Sequence, residues 1–434
     1  MNVAMVGAGY VGLVSGACFA EFGASVTCID NDSDRIRKLS EGVVPIYEPG
    51  LADLIRKNLE QGRIAFRDGY DEAIGECDLV FIAVGTPSRR RDGHADLKFV
   101  YQAVRELAPW LRGYTVIVDK STVPVGTARN VRRIVMEENP EADFEVASNP
   151  EFLREGAALS DFMRPDRVVI GVETERAEQA LRELYQPLNL IETPMVVTDL
   201  ESAELIKYAA NAFLATKISF INEMSALCEA VNADVLAVAR GIGLDGRIGS
   251  KFLQPGPGYG GPCLPKDTRA LVRIAQENNV TSRIVEAVME VNEAQKERMI
   301  NKIRGALGGS ESGMNLAVLG LAFKPETDDM RDASALSILP KLIENGVRVH
   351  AHDPQAMSEA RAMLPESVVY FDDIYAALTG ADAVVLLTEW NAYRGMDLAR
   401  VRELMRGNVF LDLRNVYEPE LMRAAGFDYY CVGR

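Results

Sequence analysis

The first twelve residues, MNVAMVGAGYVG, restrict the fold more than any other stretch of the chain. An apolar strand-length run, NVAMV, leads straight into Gly7-Ala-Gly9-Tyr-Val-Gly12, and residues 11–22 then read as an apolar helix. A glycine fingerprint between a strand and a helix specifies a dinucleotide-binding βαβ unit. Gly7 permits the tight turn, Gly9 lets a pyrophosphate approach, and Gly12 lets helix and strand pack closely. The helix N-terminus then faces the phosphates. Asp30 ends the second strand, VTCID, 18 residues past Gly12. A carboxylate there binds the adenine ribose hydroxyls and repels a 2′-phosphate, so NAD is expected over NADP. Arg35, close by, keeps the NADP reading open.

Further strands are expected at 79–84, 115–121 and 144–148, a rhythm that indicates a parallel, doubly wound sheet. The pattern recurs near the C-terminus. MNLAVLGLAFKP at 314–325 echoes the opening, VRVHAHD echoes SVTCIDN, and ADAVVLLTEW echoes CDLVFIAVGT. This second copy lacks the glycines and is expected to hold something other than the dinucleotide. Between the copies, residues 199–231 contain no Gly or Pro and form one long helix, apolar around most of its circumference and so expected to be buried on most sides, between the two domains and a second subunit. The fold class is therefore α/β, with two Rossmann-like doubly wound domains joined by a long central helix. Linkers are expected near 193–200 and 306–314.

A net charge of −16 argues against a general nucleic-acid or anionic-membrane surface. No apolar run approaches the ~18 residues of a membrane span, and no leader is recognisable. Six scattered cysteines, several inside apolar elements, favour a reducing compartment, and a cytoplasmic location is expected. His350 and His352 alternate on one strand and read as strand residues rather than metal ligands. No metal is expected.

Four further motifs carry chemistry. Thr122, in KSTVPVGT at a strand end, either touches a nicotinamide or belongs to a Pro-containing turn, and Thr86 in VGTP has the same two readings. Glu151 and Glu155, in SNPEFLREG, would share a helical face, and spacing alone favours a solvated first turn. Lys207 and Asn211, four apart on the apolar helix, either offer a cation and an amide to an oxygen gaining charge, or reflect a snorkelling lysine. In YGGPCLPKDT the glycines admit a ligand and LPKDTRALVRIA reads as a helix. Cys263 would sit at its N-terminus beside Lys266, a setting that favours thiolate, with Asp267 on the first turn.

Together GAGYVG, PIYEPGL, VGTP, STVPVGT, NPEFLREG, ELIKYAANAF, RIGSKFLQPGPGYGGPCLPKD and GLAFKPETDDMRD resemble the UDP-glucose dehydrogenase family, over nearly the whole chain. The resemblance implies an NAD domain at 1–195, a helical dimerisation domain with the Cys loop at 196–305, and a UDP-sugar domain at 306–434. It implies four-electron oxidation of UDP-glucose, in which Cys263 holds the aldehyde as a thiohemiacetal and then a thioester. Lys207 and Asn211 would stabilise oxyanions, Asp267 would position a water with help from Thr122, and Glu151 would be the base for hydrolysis. NAD contacts would fall on Val11, Asp30, Arg35, Thr86, Thr122, Glu155, Lys266 and Arg331. UDP-sugar contacts would fall on Glu151, Phe152, Leu153, Arg154, Glu155, Lys207, Asn211, Phe252, Leu253, Gln254, Pro255, Gly256, Gly260 and Lys324. Arg247 would reach a neighbouring subunit's site, making a homodimer obligatory. Pro262 departs from the family's usual small residue and removes a backbone donor beside the thiol. GDP-mannose 6-dehydrogenase is the same-fold alternative. A two-electron hydroxyacid dehydrogenase would leave Cys263 without work, and an idle NAD sensor would need neither Cys263 nor Lys207.

Overall fold

The computed structural model describes residues 1–87, 89, 94–309 and 311–434, so Ser310, within the linker expected at 306–314, lies outside the described residues. The chain divides into two compact units, Met1–Ala210 and Asn211–Arg434, with the boundary inside the helix Leu200–Val231.

The first unit is built on eight strands: β1 Asn2–Val6, β2 Ser25–Ile29, β3 Ile64–Arg67, β4 Leu79–Ile82, β5 Thr115–Asp119, β6 Phe144–Ser148, β7 Val168–Gly171 and β8 Met195–Thr198. Their order is β3-β2-β1-β4-β5-β6-β7-β8. All neighbours run parallel except β6 and β7, which meet antiparallel at Ser148 and Gly171. Strands covered on both faces can be apolar throughout, and β4 is buried at every position. Its alternate residues feed two cores. Phe81 packs with Phe19, Met5 and Phe162 on one face, and Val80 and Ile82 with Val104 and Ile117 on the other. One expectation fails here. The span 193–200 is not a linker, because β8 lies within it and pairs with β7. Its apolar run, Met195-Val196-Val197, is only three residues long and no residue of the strand is fully buried, so it gives a weaker signal than the longer runs of the interior strands.

The second unit contains a six-stranded parallel sheet: β9 Asn315–Leu319, β10 Arg348–His352, β11 Val369–Tyr370, β12 Ala383–Leu386, β13 Val409–Asp412 and β14 Asp428–Cys431. The order β11-β10-β9-β12-β13-β14 repeats that of the first sheet's first six strands, β3-β2-β1-β4-β5-β6, as the sequence echo implies. Preceding it are the rest of the long helix and the helices Val235–Gly243, Leu264–Glu277 and Arg283–Ala306. Within one chain the long helix is buried only in part. Tyr208, Ala215 and Ile221 are buried, but Phe213 is 65% exposed, and Leu205, Phe220, Leu227 and Val231 are also exposed.

Candidate active site

The glycine loop of the first unit has the geometry its sequence calls for. Gly7 has φ +104°, and a Cβ there would stand 2.7 Å from the Ala83 carbonyl oxygen. A Cβ on Gly12 would lie 1.8 Å from the Gly7 carbonyl oxygen, whereas one on Gly9 would meet open space. The loop is thus closed where the chain packs and open where a pyrophosphate would approach. Asp30 Oδ2 accepts the Ala8 amide at 2.8 Å and Arg35 Nη1 at 3.1 Å, while Oδ1 accepts the Asp32 amide at 3.0 Å. The carboxylate is locked at the end of β2, and Arg35 is engaged with it. These residues fit a dinucleotide whose 2′ position carries a hydroxyl. Val11 is partly buried in the helix's first turn.

Past β4, the Thr86 hydroxyl donates to the Thr122 carbonyl at 2.9 Å, joining two motifs that lie 36 residues apart. The next motif departs from expectation. Residues 151–154 are irregular and the following helix begins only at Ala158, so Glu151 and Glu155 share no helical face. Nor is Glu151 solvated. Its Oε1 accepts Lys207 Nζ at 3.0 Å and its Oε2 the Leu153 amide at 2.6 Å, with both charged side chains buried. Burial works to raise the Glu151 carboxyl, but the Lys207 charge, the Leu153 amide and Lys120 outweigh it and leave the group below its ordinary value. Lys207 is therefore a paired interior cation, not a snorkelling one, and stands 5.3 Å from the Phe152 ring. Phe152 carries the Arg167 guanidinium at 3.4 Å. Arg154 is exposed and pairs with Asp161, and Glu155 is partly exposed.

In the second unit Cys263 occupies the N-cap of Leu264–Glu277, with Pro265 in the first turn. It is partly exposed, whereas the other five cysteines are buried. One turn on, Asp267 is 1% exposed. Its Oδ2 accepts Asn211 Nδ2 at 2.6 Å, and Lys266 Nζ stands 2.8 Å from its Oδ1. The preceding loop is held through its backbone. Asn222 and Gln295 take the Gly256 amide and carbonyl, and Asn292 takes both polar groups of Tyr259. A Cβ on Gly260 would lie 2.4 Å from the Asp332 carbonyl oxygen, and one on Gly261 would lie 2.6 Å from the Phe323 ring. The Gly261 amide donates to the Arg331 carbonyl at 2.8 Å, which brings the GLAFKPETDDMRD segment against the Cys loop.

The family's NAD binding domain matches residues 1–189, its central domain residues 201–294 and its UDP binding domain residues 317–419. The chain belongs to the UDP-glucose/GDP-mannose dehydrogenase family. It is 53% identical to a UDP-glucose 6-dehydrogenase of Rhizobium meliloti, covering 100% of each chain. It is 49% identical to a UDP-glucose 6-dehydrogenase of Bacillus subtilis, over 100% of this chain and 93% of that one. A solved UDP-glucose dehydrogenase structure from Pyrobaculum islandicum superposes with a TM-score of 0.91 at 41% identity, over 99% of this chain and 96% of that one.

This family member is thus an NAD-dependent oxidoreductase, and bound NAD would supply the hydride acceptor. Among the dehydrogenase's described residues no group of three or more His, Cys, Asp or Glu could hold a metal ion, and no helix is long and apolar enough to cross a membrane. His352 is buried against the Tyr393 hydroxyl at 2.9 Å.

Of the expected sugar-nucleotide residues, Leu253 is buried with Ile221 and Val235, Phe252 has φ +65°, Gln254 is exposed, and Pro255 and Gly256 are buried. Lys324 lies 5.5 Å from the Phe323 ring, and the exposed Arg331 pairs with Asp329. Arg247 is 90% exposed and pairs with Asp245.

The sequence reading overlooked Glu48. Buried in PIYEPGL, it accepts the Gly156 amide at 2.6 Å, the Ala158 amide at 2.8 Å and the Tyr10 hydroxyl, and so pins the loop that carries Glu151. It also overlooked Arg414, which donates to the Phe323 and Leu387 carbonyls behind Lys324. An acid between two prolines' worth of turn signal gave no local hint of a partner more than 100 residues away.

Proposed function

We propose that this dehydrogenase oxidises UDP-glucose to UDP-glucuronate, with both oxidations carried out on one bound sugar. The observation that carries the covalent part is Cys263. It is the partly exposed thiol among six, at a helix N-cap with Asp267 one turn on. Across both steps the C6 alcohol loses four electrons as two hydrides, and one water supplies the second carboxylate oxygen. Cys263 Sγ adds to the aldehyde carbon, the resulting thiohemiacetal gives up the second hydride, and hydrolysis of the thioester frees the thiol. Tethering keeps the aldehyde from leaving between oxidations. Lys207 and Asn211, four apart on one helix, offer a cation and an amide to the oxygen that gains charge. Glu151, held ionised by Lys207, is in the form a base requires for hydrolysis. Asp267, with Thr122 assisting, positions a water.

The same reading divides the chain into an NAD domain at 1–195, a central dimerisation domain at 196–305 and a UDP-sugar domain at 306–434. It makes the protein a cytoplasmic homodimer whose Arg247 serves the neighbouring subunit's sugar. Relatives named for UDP-glucose favour that substrate over GDP-mannose. Incubation with each sugar nucleotide and NAD decides between them. UDP-glucose should yield two NADH per acid formed with no trappable aldehyde, and a preference for GDP-mannose would overturn the assignment.

A further inference from the structure

At the carboxyl end of β5, Asp119 and Thr122 line a small cavity with Ser148, Glu204 and Lys207. Asp119 is 3% exposed and Ser148 2% exposed. Both carboxyl oxygens of Asp119 and the Ser148 hydroxyl have no hydrogen-bond partner among the described residues. A buried carboxyl without a protein donor holds a proton or binds water, because a bare anion there is too costly. Glu204, also 3% exposed, accepts the Gly126 amide at 2.6 Å and the Ala128 amide at 2.8 Å.

Burial, and then the negative charge of Glu204, push Asp119 up to about 8. Burial pushes Glu204 up to about 7 against the pull of its two amides. Tyr101, from the helix Lys98–Leu107, faces both acids, with Arg133 beside it. Glu201 and Arg129 flank Glu204. Lys207 stands in the cavity wall. Lys120 turns the other way, to Asn149 at 2.9 Å and Tyr185 at 3.1 Å.

We propose that Asp119 and Glu204 form a buried proton-holding site, linked by cavity water to Lys207 and Thr122, that receives the proton a substrate hydroxyl releases as its carbon is oxidised. In that step the C–H bond breaks and its electron pair departs with the hydride. The O–H bond breaks, its pair forms the carbonyl, and the freed proton protonates whichever carboxyl of the pair is ionised. The acid later returns that proton to solvent, so the interior accumulates no charge. Asp119 and Glu204 are positioning residues, acting through water and Lys207. The proton's origin rests on the alcohol oxidation proposed above, while the proton-holding pair does not.

Infrared difference spectra of the full-length protein without substrate test the pair directly. The wild type should show a protonated-carboxyl absorption that survives above pH ~6 and fades through pH ~7–8. Asp119→Asn should remove its higher-pH part. Glu204→Gln should make it fade at lower pH, and it tests the pair independently if Asp119→Asn does not fold. Both variants should keep KM for the sugar nucleotide within about twofold, lower kcat about tenfold near neutrality, and displace the pH limb of kcat. No such absorption in the wild type, identical spectra in all variants, or superimposable pH–rate profiles would overturn the proposal. A titrating absorption in a protein that oxidises no sugar nucleotide would uphold the proton-holding pair and overturn the substrate reading alone.

Discussion

Cys263 and Asp119 show how differently single residues depend on their surroundings. The thiol's candidacy follows from a local arrangement, a helix N-cap after a glycine turn, and its test is equally local. Cys263→Ala should lower acid formation by orders of magnitude while sugar-nucleotide binding, followed by calorimetry, survives. Near-native acid production would end the covalent reading. Glu151→Gln should instead slow thioester hydrolysis, so intact-protein mass spectrometry should find a sugar-nucleotide adduct. Asp119 depends on burial, and its pH signature follows in sign. Its folded pKa, about 8, lies above the ordinary 3.8. Its contribution to stability is therefore full below about pH 4 and is lost as pH rises towards 8, because only the folded state holds the proton between those values. Asp119→Asn should flatten that part of the pH dependence of Tm, and an unchanged slope between about pH 5 and 8 would show that Asp119 is ionised in the fold.

Elements here are positioned by backbone contacts as much as by side-chain packing. The Cys loop lies so close to 323–333 that Gly260 has no room for a methyl group beside the Asp332 carbonyl, a backbone atom that cannot step aside. Gly260→Ala should destabilise the protein by about 1–3 kcal/mol, the usual cost of overpacking. Urea unfolding measures this, and a loss below ~0.5 kcal/mol would mean the loop relaxes at little cost. In the first unit Asp30 ties the second strand to the glycine loop through the Ala8 amide. Asp30→Ala should weaken NAD binding and narrow the gap to NADP, and equal use of both cofactors by the wild type would refute the role given to that carboxylate.

For the molecule as a whole, the long helix is the element that needs a cover. Phe213, Leu205, Phe220, Leu227 and Val231 leave an apolar face exposed within one chain, and a homodimer is the partner proposed for it. Phe213→Asp should shift sedimentation equilibrium towards monomer, and an unaltered association constant would place the interface elsewhere. Arg247, with 90% of its side chain exposed, belongs to the same proposal. Arg247→Ala should weaken sugar-nucleotide binding by about 1.5–3 kcal/mol, the worth of a charged hydrogen bond. Mixing it with Cys263→Ala subunits should restore some activity, and no recovery after confirmed subunit exchange would count against a shared site.

Local pattern was enough for the parts of this protein whose physics is local. Glycines that a turn requires, an acid at a strand end, a helix free of Gly and Pro, and the echo of one βαβ pattern in another could all be read along the chain. So could the candidate nucleophile, since its setting is a helix N-terminus a few residues long. Pairings across long separations could not be read. Glu151 with Lys207 joins residues 56 apart, Asn211 with Asp267 another 56, and Glu48 holds amides 108 and 110 residues on. Strand β8 was hidden because its apolar run, Met195-Val196-Val197, is only three residues long, and its pairing with β7 is settled in space rather than along the chain. The raised Asp119 was hidden because desolvation depends on what surrounds a carboxyl in space, and only the folded chain supplies those neighbours.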